Sequence, residues 1–222
     1  MLLIALVASL LSPAAAETKP KASKGKVWDV QRYVNCTAKI GGTDLDTETT
    51  FTSRKCRTRV QDEKDPANGD FWIDPSVRAV VRGTTVRYYL DLDITYERSK
   101  GEILGVPLSS GANGPARFEK VNLLLTDGLH TFDPKSSVNL DDCSVDGNKW
   151  ATSTSCSFSE VLSVELTTED LLTLKSLITP EAVTTKIRGK ATSETGESIA
   201  FWIDAAEIFS IIAHAENAAH PG

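Results

Sequence analysis

The longest alternation of apolar and polar positions runs from Val86 to Tyr96. Val86, Tyr88, Leu90, Leu92, Ile94 and Tyr96 fall in one phase; Arg87, Tyr89, Asp91, Asp93 and Thr95 fall in the other. Period two over this length predicts a strand with one buried and one wet face. Arg82-Gly83-Thr84 links it to an apolar run at Val77–Val81, and Val121–Leu125 and Leu129–Phe132 flank the turn dipeptide Asp127-Gly128, a hairpin signal. Two further β-type runs, 27–40 and 49–60, are joined by Gly41-Gly42-Thr43-Asp44. By composition Asp62–Gly69 and Ser109–Ala116 read as loops and Asp133–Ser137 as a connector.

The last eighty residues read differently. Cys156–Leu166 predicts a strand. Thr167 or Thr168 can cap a helix over Glu169–Ile178, with Glu169 and Asp170 in its first turn and Pro180 as its stop. Val183–Ala191 and Ile199–Ile203 flank Ser193-Glu194-Thr195-Gly196 and predict a hairpin. Asp204 then caps a helix over 205–217, with Ile208, Phe209, Ile211 and Ile212 as its apolar stripe. The expected class is mainly β with α (α+β): an antiparallel β-rich N-terminal lobe over 27–133, then a β-α-β-β-α C-terminal module over 138–217.

The run from Cys143 through Cys156-Ser157-Phe158-Ser159-Glu160, VLSVELTTEDLLTL and KIRGKATSETGESIAFWIDAAEIFSII resembles the C-terminal part of uncharacterised exported bacterial proteins. It covers about a third of the chain. The resemblance implies a bacterial envelope setting and no activity.

Leu2–Leu11 reads LLIALVASLL and is followed by Ser12, Pro13 and three Ala. An apolar core, a helix breaker and an A-x-A site predict a secretory signal over 1–16, though no Lys or Arg precedes it. The stretch is too short to span a bilayer, and no later stretch approaches that length, so no transmembrane segment is expected in the mature chain. Glu17–Lys26 has four Lys and no large apolar residue, which predicts a flexible leader over 17–26. Its Ser23 and Lys26 match an S-x-x-K spacing, but a tail supplies no cleft for an acyl-enzyme. The expected location is periplasmic or secreted.

The 222 residues carry a formal charge of −6 and are 41% hydrophobic, a globular balance. An acidic body argues against nucleic acid as a partner, because nucleic-acid binders present a basic face.

The cysteines are Cys36, Cys56, Cys143 and Cys156. In an exported chain an even number reads as disulfides. Hairpin proximity favours 36–56, and the Asp146-Gly147 turn favours 143–156. Zinc favours C-x₂₋₄-C pairs, which these spacings are not.

Other chemistry is sparse. Asp44, Asp46 and Glu48 form D-x-D-x-E, but the EF-hand positions for Gly and the bidentate Glu hold Thr49 and Lys55. Asp141, Asp142, Asp146 and Asn148 are oxygen-rich without a ligand spacing. Asp91 and Asp93 share a strand face that also carries Arg87 and Glu97, which reads as a wet surface. His130, His214 and His220 stand in no nucleophile or metalloprotease motif, and there is no G-x-S-x-G, H-E-x-x-H or Gly-rich phosphate loop. Asn35-Cys36-Thr37 fits the glycosylation sequon, which is idle in bacteria. Trp28, Trp72, Trp150 and Trp202 can stack on sugar, but such Trp more often pack in a core. No catalytic residue, cofactor or metal is therefore expected.

Two charges interrupt apolar faces. Arg32 falls among Trp28, Val30, Val34, Cys36, Ala38 and Ile40; Glu160 falls among Cys156, Phe158, Leu162, Val164 and Leu166. If they point inward, each needs an opposite charge or a fan of carbonyls, or each other. A β-bulge would instead turn each outward, and Val161 offers an alternative apolar position. The expected function is a non-catalytic binding or interaction module for a protein or envelope component. The alternative is a hydrolase of envelope or extracellular polymers that uses surface carboxylates.

Overall fold

The computed structural model describes residues 37–41, 48–53, 61–65, 69–103, 106–107, 114–125, 127–147, 151–176 and 186–220. The signal, the leader, Arg32, Cys36, Cys56, Trp28 and Trp150 lie outside the described residues. Among the described residues the fold is β-rich α+β, with two antiparallel sheets and two helices.

The larger sheet contains β1 (Ala38–Gly41), β2 (Glu48–Thr52), β3 (Gln61–Asp65), β4 (Gly69–Arg82), β5 (Thr85–Ile103), β6 (Val106–Pro107), β9 (Lys135–Gly147) and β10 (Ala151–Leu166). Its order is β1-β2-β4-β5-β10-β9, with β3 also beside β4 and β6 beside β5. The smaller sheet, ordered β12-β11-β7-β8, contains β7 (Phe118–Leu125), β8 (Gly128–Phe132), β11 (Lys186–Ser193) and β12 (Ser198–Asp204). Each sheet thus draws strands from both the 27–133 and the 138–217 segments. The helices are α1 (Thr168–Ser176) and α2 (Ala205–Ala219).

The alternation in β5 acts as its sequence implies. Tyr88, Leu90, Leu92, Ile94 and Tyr96 are buried, and β4 adds Phe71, Ile73, Val77, Ala79 and Val81. They join Val121, Leu123, Ile187, Ile199, Phe201 and Ile203 of the smaller sheet, and Ile208, Ile211 and Ile212 of α2, in one core. Gly189 lies opposite Phe201 in the register of β11 and β12. A Cβ at Gly189 would sit 2.2 Å from the Phe201 ring, so the missing side chain makes room for the ring. Gly83 (φ +59) and Gly128 (φ +138) supply the positive φ their hairpin turns require.

Pro75 sits within β4, where proline removes a ladder donor. One edge of β4 pairs with β3 as far as Ile73 and with β2 from Arg78 onward, leaving 74–77 between them. The Val77 N–H points into that gap and donates to Ser53 Oγ at 2.9 Å. Pro75 has the same parity, so its missing N–H would have pointed there too. Ser53 Oγ also donates to Glu207 Oε1, a buried carboxylate in the first turn of α2. This contact ties the helix to the gap in the sheet.

Several boundaries differ from the sequence expectation. Asp62–Asp65 is not loop but belongs to β3, because the long β4 offers an edge on which even a charged run can complete backbone hydrogen bonds. Lys135–Ser137 is strand, not connector, because β10 extends far enough to pair with it. Asp204 occupies the N-cap position of α2 but makes no side-chain cap hydrogen bond.

Candidate functional site

Cys143 and Cys156 form a disulfide between directly opposed residues of β9 and β10, with Cα atoms 4.1 Å apart. It pins the outermost strand of the larger sheet. A register irregularity on β9 opposite Ser157 and Phe158 separates this pair from the Glu160 position.

Glu160 faces inward and is 0% exposed, while Val161 lies on the outer face. Glu160 Oε1 accepts the Phe118 N–H at 2.7 Å and the Ser136 hydroxyl at 2.9 Å, and Oε2 has no hydrogen-bond partner. Burial raises the Glu160 pKa; the hydrogen bonds from Ser136 and the backbone around Phe118, with the Tyr96 hydroxyl nearby, offset part of that rise. Tyr96 accepts the Ala116 N–H at 2.7 Å, and burial pushes its phenol up to about 12. Arg117, between those two donors, has φ +54. That left-handed residue stands between the Ala116 N–H, which donates to Tyr96, and the Phe118 N–H, which donates to Glu160.

Beside them Arg98 pairs with Glu197 and lies over the rings of Tyr96 and Phe71, at 5.2 and 5.4 Å from their centroids. Both charges are about nine-tenths buried, at 9% and 10% exposure. The cluster joins β5 and β10 of the larger sheet to the start of β7 and the β11–β12 turn. The hydrogen bonds from the Ala116 and Phe118 N–H groups and the ion pair run between the two sheets, so the cluster acts as a sheet-to-sheet latch.

The surface carboxylates are also engaged. Asp91 receives two hydrogen bonds from Arg78, at 2.6 and 3.1 Å, and a third from Ser163 at 2.6 Å. Arg78 in turn covers the Tyr89 ring at 4.3 Å. Asp93 lies opposite Asp74 on the neighbouring strand. Both oxygens of the Asp91 carboxylate are thus occupied by a guanidinium and a hydroxyl.

His130 on β8 binds Asp127 through Nε2 at 2.9 Å and Asp170 through Nδ1 at 3.2 Å. The two carboxylates outweigh desolvation, and the His130 pKa is raised. With both nitrogens facing carboxylates, the ring favours its doubly protonated form and offers no free basic nitrogen. Asp170 also accepts the Thr167 N–H at 2.8 Å, while Thr167 Oγ1 accepts the Asp170 N–H at 3.2 Å. This reciprocal cap starts α1; Thr167, not Thr168, is the capping residue.

Asp44, Asp46 and Asn148 lie outside the described residues, and Asp141, Asp142 and Asp146 are exposed along β9. Among the described residues no group of three or more His, Cys, Asp or Glu is placed to hold a metal. No described helix is long and apolar enough to cross a membrane.

The outward face of the smaller sheet is different in kind. Cross-strand register sets Trp202, Arg188, Leu124 and Leu129 in one row across β12, β11, β7 and β8. Trp202 is 41% exposed, Leu124 55% and Leu129 66%. Antiparallel sheets often leave one face to water, but that face is ordinarily polar. Along β11 the outward positions are Lys186, Arg188 and Lys190, all exposed. The Lys186 ammonium lies 4.4 Å from the Trp202 ring centroid. The face thus combines aliphatic side chains, an aromatic ring and a column of cations on a chain of net charge −6.

Trp202 was among the four Trp weighed for stacking on sugar; the other residues of this face were not singled out from the sequence, although two signals were present. Leu124 is apolar in the phase opposite to Val121, Leu123 and Leu125 of its own strand, once the bulge near Lys120 is allowed for. Lys186, Arg188 and Lys190 recur with period two.

Comparison of the chain with protein-family models, with curated proteins and with solved structures finds no match.

Proposed function

We propose that this protein is an exported, disulfide-bonded, non-catalytic binding module of the bacterial envelope or extracellular space, and that it engages its partner through the outward face of the β12-β11-β7-β8 sheet. The observation that carries this reading is the exposed row Trp202–Arg188–Leu124–Leu129. Leu124 and Leu129 adjoin on neighbouring strands and Arg188 stands between them and Trp202; exposed apolar side chains grouped in this way mark interaction surfaces. Export is supported by the Leu2–Leu11 run before Ala14-Ala15-Ala16 and by the Cys143–Cys156 bridge, a bond favoured in oxidising compartments.

The test is site-specific photocrosslinking in cells that make the full chain. A photoreactive residue at position 124 or 129 is expected to give a discrete adduct. The same residue at position 87, on the outward face of the larger sheet, is the control. Equal adducts at 87, or none at 124 and 129, would overturn the reading.

A further inference from the structure

We propose that the partner on this face is an acidic segment of another protein, with carboxylates set against Lys186, Arg188 and Lys190 and apolar side chains seated on Leu124, Leu129 and Trp202. This inference rests on the preceding reading and names the class of ligand.

The argument is charge complementarity at a defined pitch. Alternate residues of a strand point to one face and are separated by about 6.8 Å, so the β11 cations form a column of regular spacing. Residues i and i+2 of an extended acidic segment repeat at that distance, and residues i and i+4 of an acidic helix repeat at about 6 Å. Two carboxylates adjoin the column. Asp204 lies opposite Lys186 in the register, and Asp133 binds Lys120 at 2.5 Å near the far edge. Arg188 and Lys190 face Trp202 and Ala200 on β12, and Leu124 and Asn122 on β7. The central cation is thus flanked by apolar surface, where its attraction for a carboxylate is less screened than in open water.

The same features select among polyanions. Nucleic acid carries one charge about every 1.7 Å of duplex, and a chain of net charge −6 repels so dense a charge. Sugar rings stack on aromatic faces, but the one Trp here lies under the Lys186 ammonium and its row neighbours are leucines. Leucine and a partly covered indole are surfaces for aliphatic and aromatic side chains, which only a polypeptide supplies together with separated carboxylates.

The experiment uses the mature full chain and fluorescence anisotropy. The main probe is a labelled 20-residue amphipathic peptide of Glu and Leu. The comparison probes are its Lys-for-Glu counterpart, an oligothymidylate, polygalacturonate, and vesicles of phosphatidylglycerol and phosphatidylcholine. The Glu/Leu peptide is expected to bind and the Lys/Leu peptide to fail. Arg188→Glu should weaken binding by about tenfold or more, and Leu124→Ser with Leu129→Ser by a similar factor, with affinity falling as salt rises. Thermal melts of each variant confirm the fold, which these exposed positions should leave intact.

Tighter, Arg188-dependent binding of the oligonucleotide, the glycan or the vesicles would overturn the acidic-protein assignment while leaving the face as a binding surface. Peptide binding indifferent to all these variants would overturn the use of this face itself. No binding of the Glu/Leu peptide at micromolar concentration would overturn the ligand class, and photocrosslinking at 124 and 129 then tells whether the broader reading survives.

Discussion

The backbone N–H of Phe118 donates to Glu160 Oε1 at 2.7 Å, so a carboxylate from the centre of one sheet caps the first residue of the other. Glu160 is wholly buried and its second oxygen has no partner. Replacing it with Ala leaves the Phe118 N–H unsatisfied and opens a cavity, which should cost about 2–4 kcal/mol. Glu160→Gln keeps an accepting oxygen and removes the buried charge, so it should lie close to the parent or above it near neutral pH. Urea melts of the two variants make the comparison.

Glu160 also sets a pH dependence. Its folded-state pKa is raised, so the folded state holds the proton more tightly than the unfolded chain. The stability it contributes is fully present below the ordinary value of 4.5 and is lost as pH rises through the raised value. The stability difference between Glu160→Gln and the parent should therefore shift in favour of the variant across that interval and be flat above it. A constant difference from pH 4 to pH 8 would contradict the placement.

Arg98 and Glu197 are both nearly buried and paired. Removing one charge strands the other, so Arg98→Met or Glu197→Leu should each cost about 3–5 kcal/mol. The double substitution Arg98→Met with Glu197→Leu should recover much of that loss, because an apolar pair carries no desolvation cost. A double-mutant cycle by chemical denaturation measures the coupling.

Gly189→Ala should be destabilising by about 1–3 kcal/mol, although alanine suits an extended strand better than glycine does. The added Cβ meets the Phe201 ring. Combining Gly189→Ala with Phe201→Leu should cost less than the sum of the two single losses, because the ring and the added Cβ compete for the same space. Thermal melts of the three variants decide it.

His130 ties β8 to the first turn of α1 through Asp170. Its folded-state pKa is raised above 6.5, so its contribution is complete below that value and is lost as pH rises through the raised one. His130→Gln should flatten the decline in melting temperature between pH 6 and pH 9. The Asp170 cap on Thr167 should keep α1 helical in the variant, which circular dichroism measures.

Much of this fold follows from the order of residues along the chain. The alternation in Val86–Tyr96 dictates a strand with one buried face, and Asp127-Gly128 and Arg82-Gly83-Thr84 dictate tight hairpins. These are local facts: side-chain parity in an extended chain and the backbone freedom of glycine act within a few residues. The parity of Phe158, Leu162 and Val164 puts Glu160 on the inward phase, but with Val161 beside it a bulge was equally open, and the structure decided for the inward position. The Cys143–Cys156 pairing follows from the short span between them and the turn it contains.

The pairing of distant strands is a different matter. Nothing in the sequence of β10 says that it lies beside β5, or in that of β11 that it lies beside β7, because parity specifies a face and not a neighbour. The tertiary structure decided that Glu160 would meet Phe118 and Ser136, that Arg98 would meet Glu197, and that charged Asp62–Asp65 would form an edge strand on β4. It also decided the outward row of Trp202, Arg188, Leu124 and Leu129. Each is an ordinary residue on its own strand. Only the register of four strands, set by how the opposite face packs into the core, brings them together as one surface.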